Sequence, residues 1–454
     1  MTVKYIIGKN APITLCVALL ATIFVGCSHF EEEDLFEESA SQRIMHFNED
    51  LQSRLVEQSA NGNNGWVIQY FVASEYEGFN LFGSFYENGK VKLASNHRFL
   101  RGGSAGKFTE SESFYEVLSE DGPVLAFNTW NDILTVFVDP VDPTQAPSTL
   151  IGDGEGMYGD QNLVFQGYKD NTILFSGERN SGKVRFVPCD RPWQDYINDT
   201  EANKKYITST SIESYYVVCG TDTLYFKNLR NGIFTYCERV DDPLFPSTIN
   251  CVFTPDGFYL QHRNSIGGTT FQEFRLTEDK SCLLSENDSV RVIAMWDNYV
   301  IKHTDVLWEL DASLFTEQQQ SLFNQIASEM VSLNKLWVLK SIGIGRSTGK
   351  NSVNGLILTY YTNSAKSKTN NAGLELILTK PQFQRMRIEC TEDCASDNNM
   401  SVFTARGTAV EALAREFAST LNGTYEMSPD NYFLPTSVRC TPMDGGTEFT
   451  INNK

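Results

Sequence analysis

Cysteine carries the most distinctive chemistry in this sequence, and Cys27 has the most telling neighbours. It ends the run Phe24-Val25-Gly26-Cys27, at the close of an apolar stretch from Ala11 to Val25 that follows Lys4 and Lys9. A positive start, a short apolar run and a small residue before cysteine make an export signal with a bacterial lipobox, too short for a comfortable membrane span. Gly26 leaves room for the signal peptidase, and the freed cysteine is then acylated, palmitate being one of the chains. Leucine is usual at the first of the four positions, and Phe24 departs from it. The expectation is lipid attachment at Cys27, with stable anchoring through several acyl chains.

Other reactive residue types form no recognisable machinery. Of the 10 cysteines, Cys16 lies inside the signal, and Cys189, Cys219, Cys237, Cys251, Cys282, Cys390, Cys394 and Cys440 remain. Eight thiols in an exported chain permit disulfides, and spacing leaves both pairing and buried free thiols open. Cys390 and Cys394 flank a short acidic loop but lack a second ligand pair for zinc. The histidines His29, His46, His97, His262 and His303 are scattered, with no His-Glu-x-x-His among them. A nucleophile elbow and a phosphate loop are both missing. Gly152 to Asp160 combines glycines with Asp153, Glu155 and Asp160, an oxygen-rich loop that fails the order of a calcium-binding hand. Asp139-Pro140 and Asp142-Pro143 offer two acids to glycoside chemistry, but proline beside each reads first as a turn. Trp66, Trp130, Tyr158 and Trp193 are candidates to stack on sugar rings or to fill a core. No catalytic residue, metal ligand or cofactor is expected, and the ligand-binding residues stay unidentified.

The elements that would carry these residues are mostly strands. Ser39 to Gln58 is an exception, a helix N-capped by Ser39 with Ile44, Phe47, Leu51 and Leu55 as its apolar stripe. From Trp66 the period becomes two. Strands are expected at Trp66–Phe71, Phe79–Tyr86, Val91–Ala94, Ser113–Val117, Val124–Asn128, Leu134–Val138, Leu163–Gln166 and Ile173–Ser176. Asn88-Gly89 is a hairpin turn between the second and third. Ile197 to Lys205 forms a short helix. Strands resume at Tyr215–Cys219, Thr223–Lys227, Phe234–Glu238, Asn250–Phe253, Phe258–His262 and Phe271–Leu276. Thr316 then caps a helix with Leu322, Ile326, Met330 and Leu333 inward. Strands at Leu336–Ile342, Gly355–Tyr361 and Leu374–Thr379, a helix at Val410–Leu421, and strands at Phe433–Cys440 and Thr447–Ile451 complete the chain.

Short strands with turn signals at this spacing give a mainly β fold with a few helices, built as antiparallel sandwich or partly closed barrel units. A length of 454 residues implies more than one core. The divisions expected are 1–26 signal peptide, 27–38 acidic tether, 39–190 first β domain with its N-terminal helix, 191–310 second β domain, and 311–454 a C-terminal α+β domain. Hydrophobic residues make up 41% of the chain, enough to fill such cores. Net charge is -20, which repels nucleic acid phosphates and excludes that class of partner.

After Cys27 come Glu31, Glu32, Glu33 and Asp34, then Leu35-Phe36-Glu37-Glu38, a block that cannot pack and acts as a tether. It resembles the acidic export signal of surface lipoproteins of Bacteroidota. Further similarity runs through Asp34 to Ala40, Gly65-Trp66-Val67-Ile68-Gln69-Tyr70, Asn88-Gly89-Lys90-Val91, Ser119 to Asn128, Phe137 to Pro140 and Gly159-Asp160. Together these residues resemble an uncharacterised lipoprotein family of Bacteroidota, a domain of unknown function associated with outer-membrane nutrient uptake. The resemblance implies a lipid-anchored, surface-exposed outer-membrane protein. It also implies a transporter and neighbouring lipoproteins as partners. On this reading the chain is a non-catalytic binding or accessory component, with a glycan or peptide ligand. A carboxylate-dependent hydrolase and a fimbrial or adhesin subunit are the alternatives.

Overall fold

The computed structural model describes residues 38–60, 62–120, 122–139, 157–208, 214–230, 232–237, 247–302 and 306–453. Cys27 and the whole of 1–37 lie outside them. The mainly β expectation holds, and the strands form two closed barrels and one open sheet.

The first barrel runs β1 Trp66–Phe71, β2 Phe79–Phe85, β3 Lys90–Ser95, β4 Thr109–Ser119, β5 Pro123–Phe127, β6 Asn162–Lys169, β7 Thr172–Gly177 and β8 Lys183–Pro188. It closes when β1 pairs antiparallel with β8 as well as β2, so Ile68 faces both Leu81 and Phe186 in register. Alternation sends Trp66, Ile68 and Tyr70 into the lumen with Phe85, Phe175 and Phe186. Helix α1 (Ala40–Glu57) lies at the tight-turn end, where Leu51 and Leu55 are fully buried and the Trp66 indole donates to the Leu55 carbonyl at 3.1 Å. Its start is a capping box between Ser39 and Gln42. Phe47 corrects the expected stripe: it is 52% exposed, because only the line through Ile44, Asn48, Leu51 and Leu55 meets the barrel.

β1 is buried on both faces, since helix α2 (Trp193–Ile207) covers the outside of the barrel. There Val67, Phe82, Ala94 and Cys189 pack against Tyr196 and Ile197. The second barrel comprises β9 Ser214–Cys219, β10 Asp222–Arg230, β11 Ile233–Cys237, β12 Ser247–Phe253, β13 Gly257–Ile266, β14 Thr269–Leu276, β15 Leu283–Ser285 and β16 Arg291–Ala294. β16 returns to pair with β9 and closes it. Helix α3 (Trp296–Lys302) follows.

The open sheet contains β17 Trp308–Leu310, β18 Val338–Arg346, β19 Asn354–Tyr361, β20 Thr369–Glu375, β21 Ile377–Thr379, β22 Arg385–Glu389, β23 Gly423–Pro429, β24 Ser437–Asp444 and β25 Phe449–Asn453. Its order is β20-β19-β18-β17-β25-β24-β23-β22-β21. Helices α4 (Glu317–Leu333), α5 (Asn398–Ala405) and α6 (Val410–Ser419) pack on it. One continuous core joins this sheet to the second barrel, running from Tyr215 and Phe258 through Trp296 to Ile326, Leu358 and Phe417.

Two expected strands are corrected. Leu134–Val138 is a helical turn around Thr135–Phe137, because its apolar side chains plug the barrel instead of pairing in it. Phe433 to Thr436 precedes its strand as a loop, pinned by Asn431 and Asp430 side chains that accept backbone N–H bonds. The cysteines with described side chains, Cys189, Cys219, Cys251, Cys282, Cys390, Cys394 and Cys440, are free thiols.

Candidate functional site

The up-and-down order of the first barrel puts all its long connections at one end. These are residues 72–78, 96–108, 128–139 with 157–161, and 178–182, while among the described residues the other end has tight turns and α1. Loops on a rigid scaffold are where binding residues collect. That end does not face open solvent all round, because part of it is bound directly to the second barrel. Gly78 N–H donates to Cys251 O at 3.0 Å, and Asn250 Nδ2 donates to Ser74 O and Tyr76 O at 2.8 Å each. Asn80 Nδ2 donates to Phe253 O at 2.8 Å. Glycine is required at 78, where a Cβ would come within 2.7 Å of Val252 Cβ and 2.5 Å of the Phe71 ring. On the far side, Asn203 of α2 donates to Thr254 O and Gly257 O at 2.9 and 3.1 Å.

Between these attachments lies a cleft of about 400 Å³, within the range of small-ligand sites. Its walls come from the 77–80 and 96–98 segments, α2 and Phe253. One wall is held by Glu77, which accepts two bonds from Arg98 at 2.9 and 2.8 Å while the guanidinium sits 4.5 Å over the Phe99 ring. Behind it His97 is buried, with Nε2 3.1 Å from Ile133 O and Nδ1 accepting from Phe99 N–H at 3.3 Å. Burial holds its pKa down to about 4, against a smaller opposing effect of the Ile133 bond, so the ring is neutral.

Two polar atoms in the cleft, Asn80 Oδ1 and Thr200 Oγ1, are buried without a hydrogen-bond partner among the described residues. Such atoms cost roughly 1–3 kcal/mol each when left unmet, and both are closed off from solvent just behind the cleft surface. Lys204 brings an ammonium to the same walls, 5.8 Å over the Phe253 ring. The cleft therefore presents Lys204, Glu201 and Asn96 on a framework cross-linked to both barrels, with a buried acceptor and hydroxyl behind its wall. A second hollow, about 480 Å³, opens in the mouth of the second barrel and is lined largely by Leu224, Phe226, Tyr236, Ile249 and Phe271. Arg263, Asn264, Ser265 and Thr270 complete its lining.

The residues singled out from sequence scatter over this frame. Asp160 is 3% exposed and structural: its carboxylate accepts from Arg179 N–H and Asn180 N–H at 3.0 and 3.1 Å, and its own N–H donates to Tyr70 Oη at 2.6 Å. Asp139 pairs with Arg101 at 2.9 Å, while Asp142 and residues 140–156 lie outside the described residues. Trp66 is core, and Trp193 packs on Phe82 with its indole donating to Asn64 O at 2.6 Å. Trp130 and Tyr158 are exposed on the long-loop end. Among the described residues no three of His, Cys, Asp and Glu group as a metal site. His29 and His303 lie outside the described residues, as does Cys27. Sequence reasoning missed Asn80, Thr200 and Lys204. One signal was present: Thr200 and Asn203 interrupt the buried stripe Tyr196, Ile197, Ile207 of α2.

Fold and cleft together define a tandem β-barrel protein with a polar inter-barrel cleft. By sequence the chain belongs to the family described as "Domain of unknown function (DUF4302)", whose model matches residues 32–278. A comparison with curated proteins finds no match. Among solved structures it is similar to the DNA polymerase III subunit beta from Pseudomonas aeruginosa, at 8% identity over 91% of this chain and 97% of that one, with a TM-score of 0.13. Caulobacter crescentus pol III beta matches at 8% identity over 88% and 94% of the two chains, also with a TM-score of 0.13. Scores this low do not equate the folds.

Proposed function

We propose that this protein is a lipid-anchored component of the bacterial outer-membrane surface that binds a glycan or peptide without transforming it, as an accessory to a nutrient transporter. The anchor is Cys27 and the tether is the acidic run that follows. The observation that carries the binding half of the reading is the inter-barrel cleft, where Asn80 Oδ1 and Thr200 Oγ1 are buried and unpartnered beside Lys204. A hollow lined by Lys204, Glu201 and Asn96 on a rigid frame suits a ligand that supplies matching donors and acceptors, as hydroxyl-rich sugars and peptide backbones do, and such a ligand meets Asn80 Oδ1 and Thr200 Oγ1 where the wall gives way. Membership of a family of unknown function is consistent with this and transfers no catalytic residue.

Two measurements test it. Protease shaving of intact cells followed by pull-down of the lipidated protein should release the body and recover a large β-barrel transporter. Glycan and peptide arrays should then give a ligand whose affinity falls about tenfold or more in Thr200→Val/Lys204→Leu, the loss expected from one or two hydrogen bonds. A body that resists shaving in cells and recovers only itself overturns the surface reading. An array ligand bound equally by the double variant overturns the cleft.

A further inference from the structure

The segment between β22 and α5 brings two cysteines together. Residues Thr391 to Cys394 close a turn in which Cys394 N–H donates to Thr391 O at 3.2 Å. The Cys394 sulfur folds back over that turn and accepts from Thr391 N–H at 3.3 Å, which places it beside the peptide carbonyl of Cys390. Both flanks of the turn are pinned from outside. Asn422 accepts from Cys390 N–H at 2.7 Å and donates to Cys390 O at 3.2 Å, and Arg415 donates to Cys394 O at 2.9 Å. Cys394 is buried while Cys390 is partly open to solvent.

We propose that Cys390 and Cys394 are a dithiol built to close into a disulfide, with a small-molecule or protein disulfide as the oxidant. The turn and its outside bonds pre-set the backbone, so oxidation needs side-chain rotation more than chain movement. Accessibility fixes the order. The Cys390 thiolate attacks one sulfur of the oxidant, RSSR, forming a mixed disulfide and releasing one RS⁻. Cys394, deprotonated in turn, attacks the Cys390 sulfur and expels the second RS⁻. The two thiol protons end on the two released RSH molecules, and the two electrons gained by RSSR are those lost by the cysteines.

The bond would secure a strap on the open sheet. The residues just after Cys394 cover the outer edge of β20: Glu375 N–H donates to Ala395 O at 2.8 Å, Ala395 N–H donates to the Glu375 carboxylate at 2.9 Å, and Leu374 bridges to Ser396. Glu392 and Asp393 lie in the turn itself, the Glu375 carboxylate is bonded just beyond it, and Glu411 pairs with Arg415 at 3.0 Å. Arg415 favours the Cys390 thiolate, but burial first and the Cys394 neighbour second push the Cys390 thiol up to about 11. Closure is accordingly slow at neutral pH and about tenfold faster for each pH unit gained toward that value.

The test is made on the folded wild-type chain, reduced and then incubated with oxidised glutathione at pH 7 to 9. Peptide mass spectrometry should show a Cys390–Cys394 link, with two hydrogens lost and no retained glutathione, and hydrogen exchange across 390–397 should slow. In Cys394→Ser the reaction should stop at a stable glutathione adduct on Cys390. In Cys390→Ser the buried Cys394 should remain unmodified. Two free thiols after prolonged oxidation of the wild type, a stable Cys390 adduct in it, or a link from either cysteine to another partner each overturns the proposal.

Discussion

Acid should destabilise the first barrel through His97. Its ring lies 7% exposed between Phe79 and Phe137, at centroid distances of 5.8 and 4.8 Å. A carbonyl only accepts, so Nε2 carries the proton given to Ile133 O, and Nδ1 must stay bare to accept from Phe99 N–H. Protonating Nδ1 loses that bond and buries a charge. The folded pKa of about 4 lies below the ordinary 6.5 of the unfolded chain. As pH falls the unfolded state takes up the proton first, so the contribution is complete above 6.5 and is lost on the way down to 4. At about 1.4 kcal/mol per pH unit this is roughly 3 kcal/mol in all, of which about 2 kcal/mol is gone by pH 5. The assay is hydrogen-exchange opening free energy for β1–β8 peptides in wild type and His97→Gln at pH 7.5 and 5. Carboxylates titrate alike in both proteins and cancel. The variant should be less stable at pH 7.5, and the gap should close by about 2 kcal/mol at pH 5. A gap that stays constant or widens on acidification refutes the argument.

Two further perturbations probe the frame of the molecule. Asp160→Asn leaves one acceptor for the two N–H groups of Arg179 and Asn180 and points an amide at the other; about 2 kcal/mol should be lost from the first barrel in urea unfolding, with β18–β25 exchange unchanged. Asp297 is fully buried, accepting from Lys380 Nζ at 2.8 Å and Gln384 N–H at 3.0 Å. Lys380→Met strands that carboxylate and should cost about 3–5 kcal/mol, loosening the second barrel and open sheet together, whereas Asp297→Asn/Lys380→Met should recover part of the loss.

Local chemistry made much of this architecture legible. Trp66–Phe71 is a strand because a β-branched and aromatic run suits a pleated surface, and its bounds are those expected from sequence. Ser39 and Thr316 are N-caps completed by Gln42 and Gln319 three residues on. What escaped was decided by distant partners. Leu134–Val138 has strand composition, yet its role as a plug depends on the Phe79 and His97 rings it meets. β16 is a four-residue strand whose pairing partner, β9, lies far back in the chain, and β23 begins with a glycine and ends with a proline, which masks its period. The cleft was hidden for the same reason. Asn80 and Thr200 belong to different elements, and the one local sign, Thr200 in the buried stripe of α2, does not lead to Asn80 until α2 is laid across the barrel. Free thiols at Cys219 and Cys251 likewise reflect where strands place them and not how many cysteines there are.

Closure of the second barrel has a consequence for ancestry. The family's region of similarity stops at residue 278, after β14, yet the barrel is completed only by β15 and β16, with β16 zipped to β9 through Arg291–Val218 to Ala294–Tyr215. A gene fragment cut at the end of the similarity would expose two unsatisfied strand edges, at β9 and β14, and strip the shared core of its Trp296 and Ile326 side. What is recognisably inherited and what can fold alone are thus different lengths of chain.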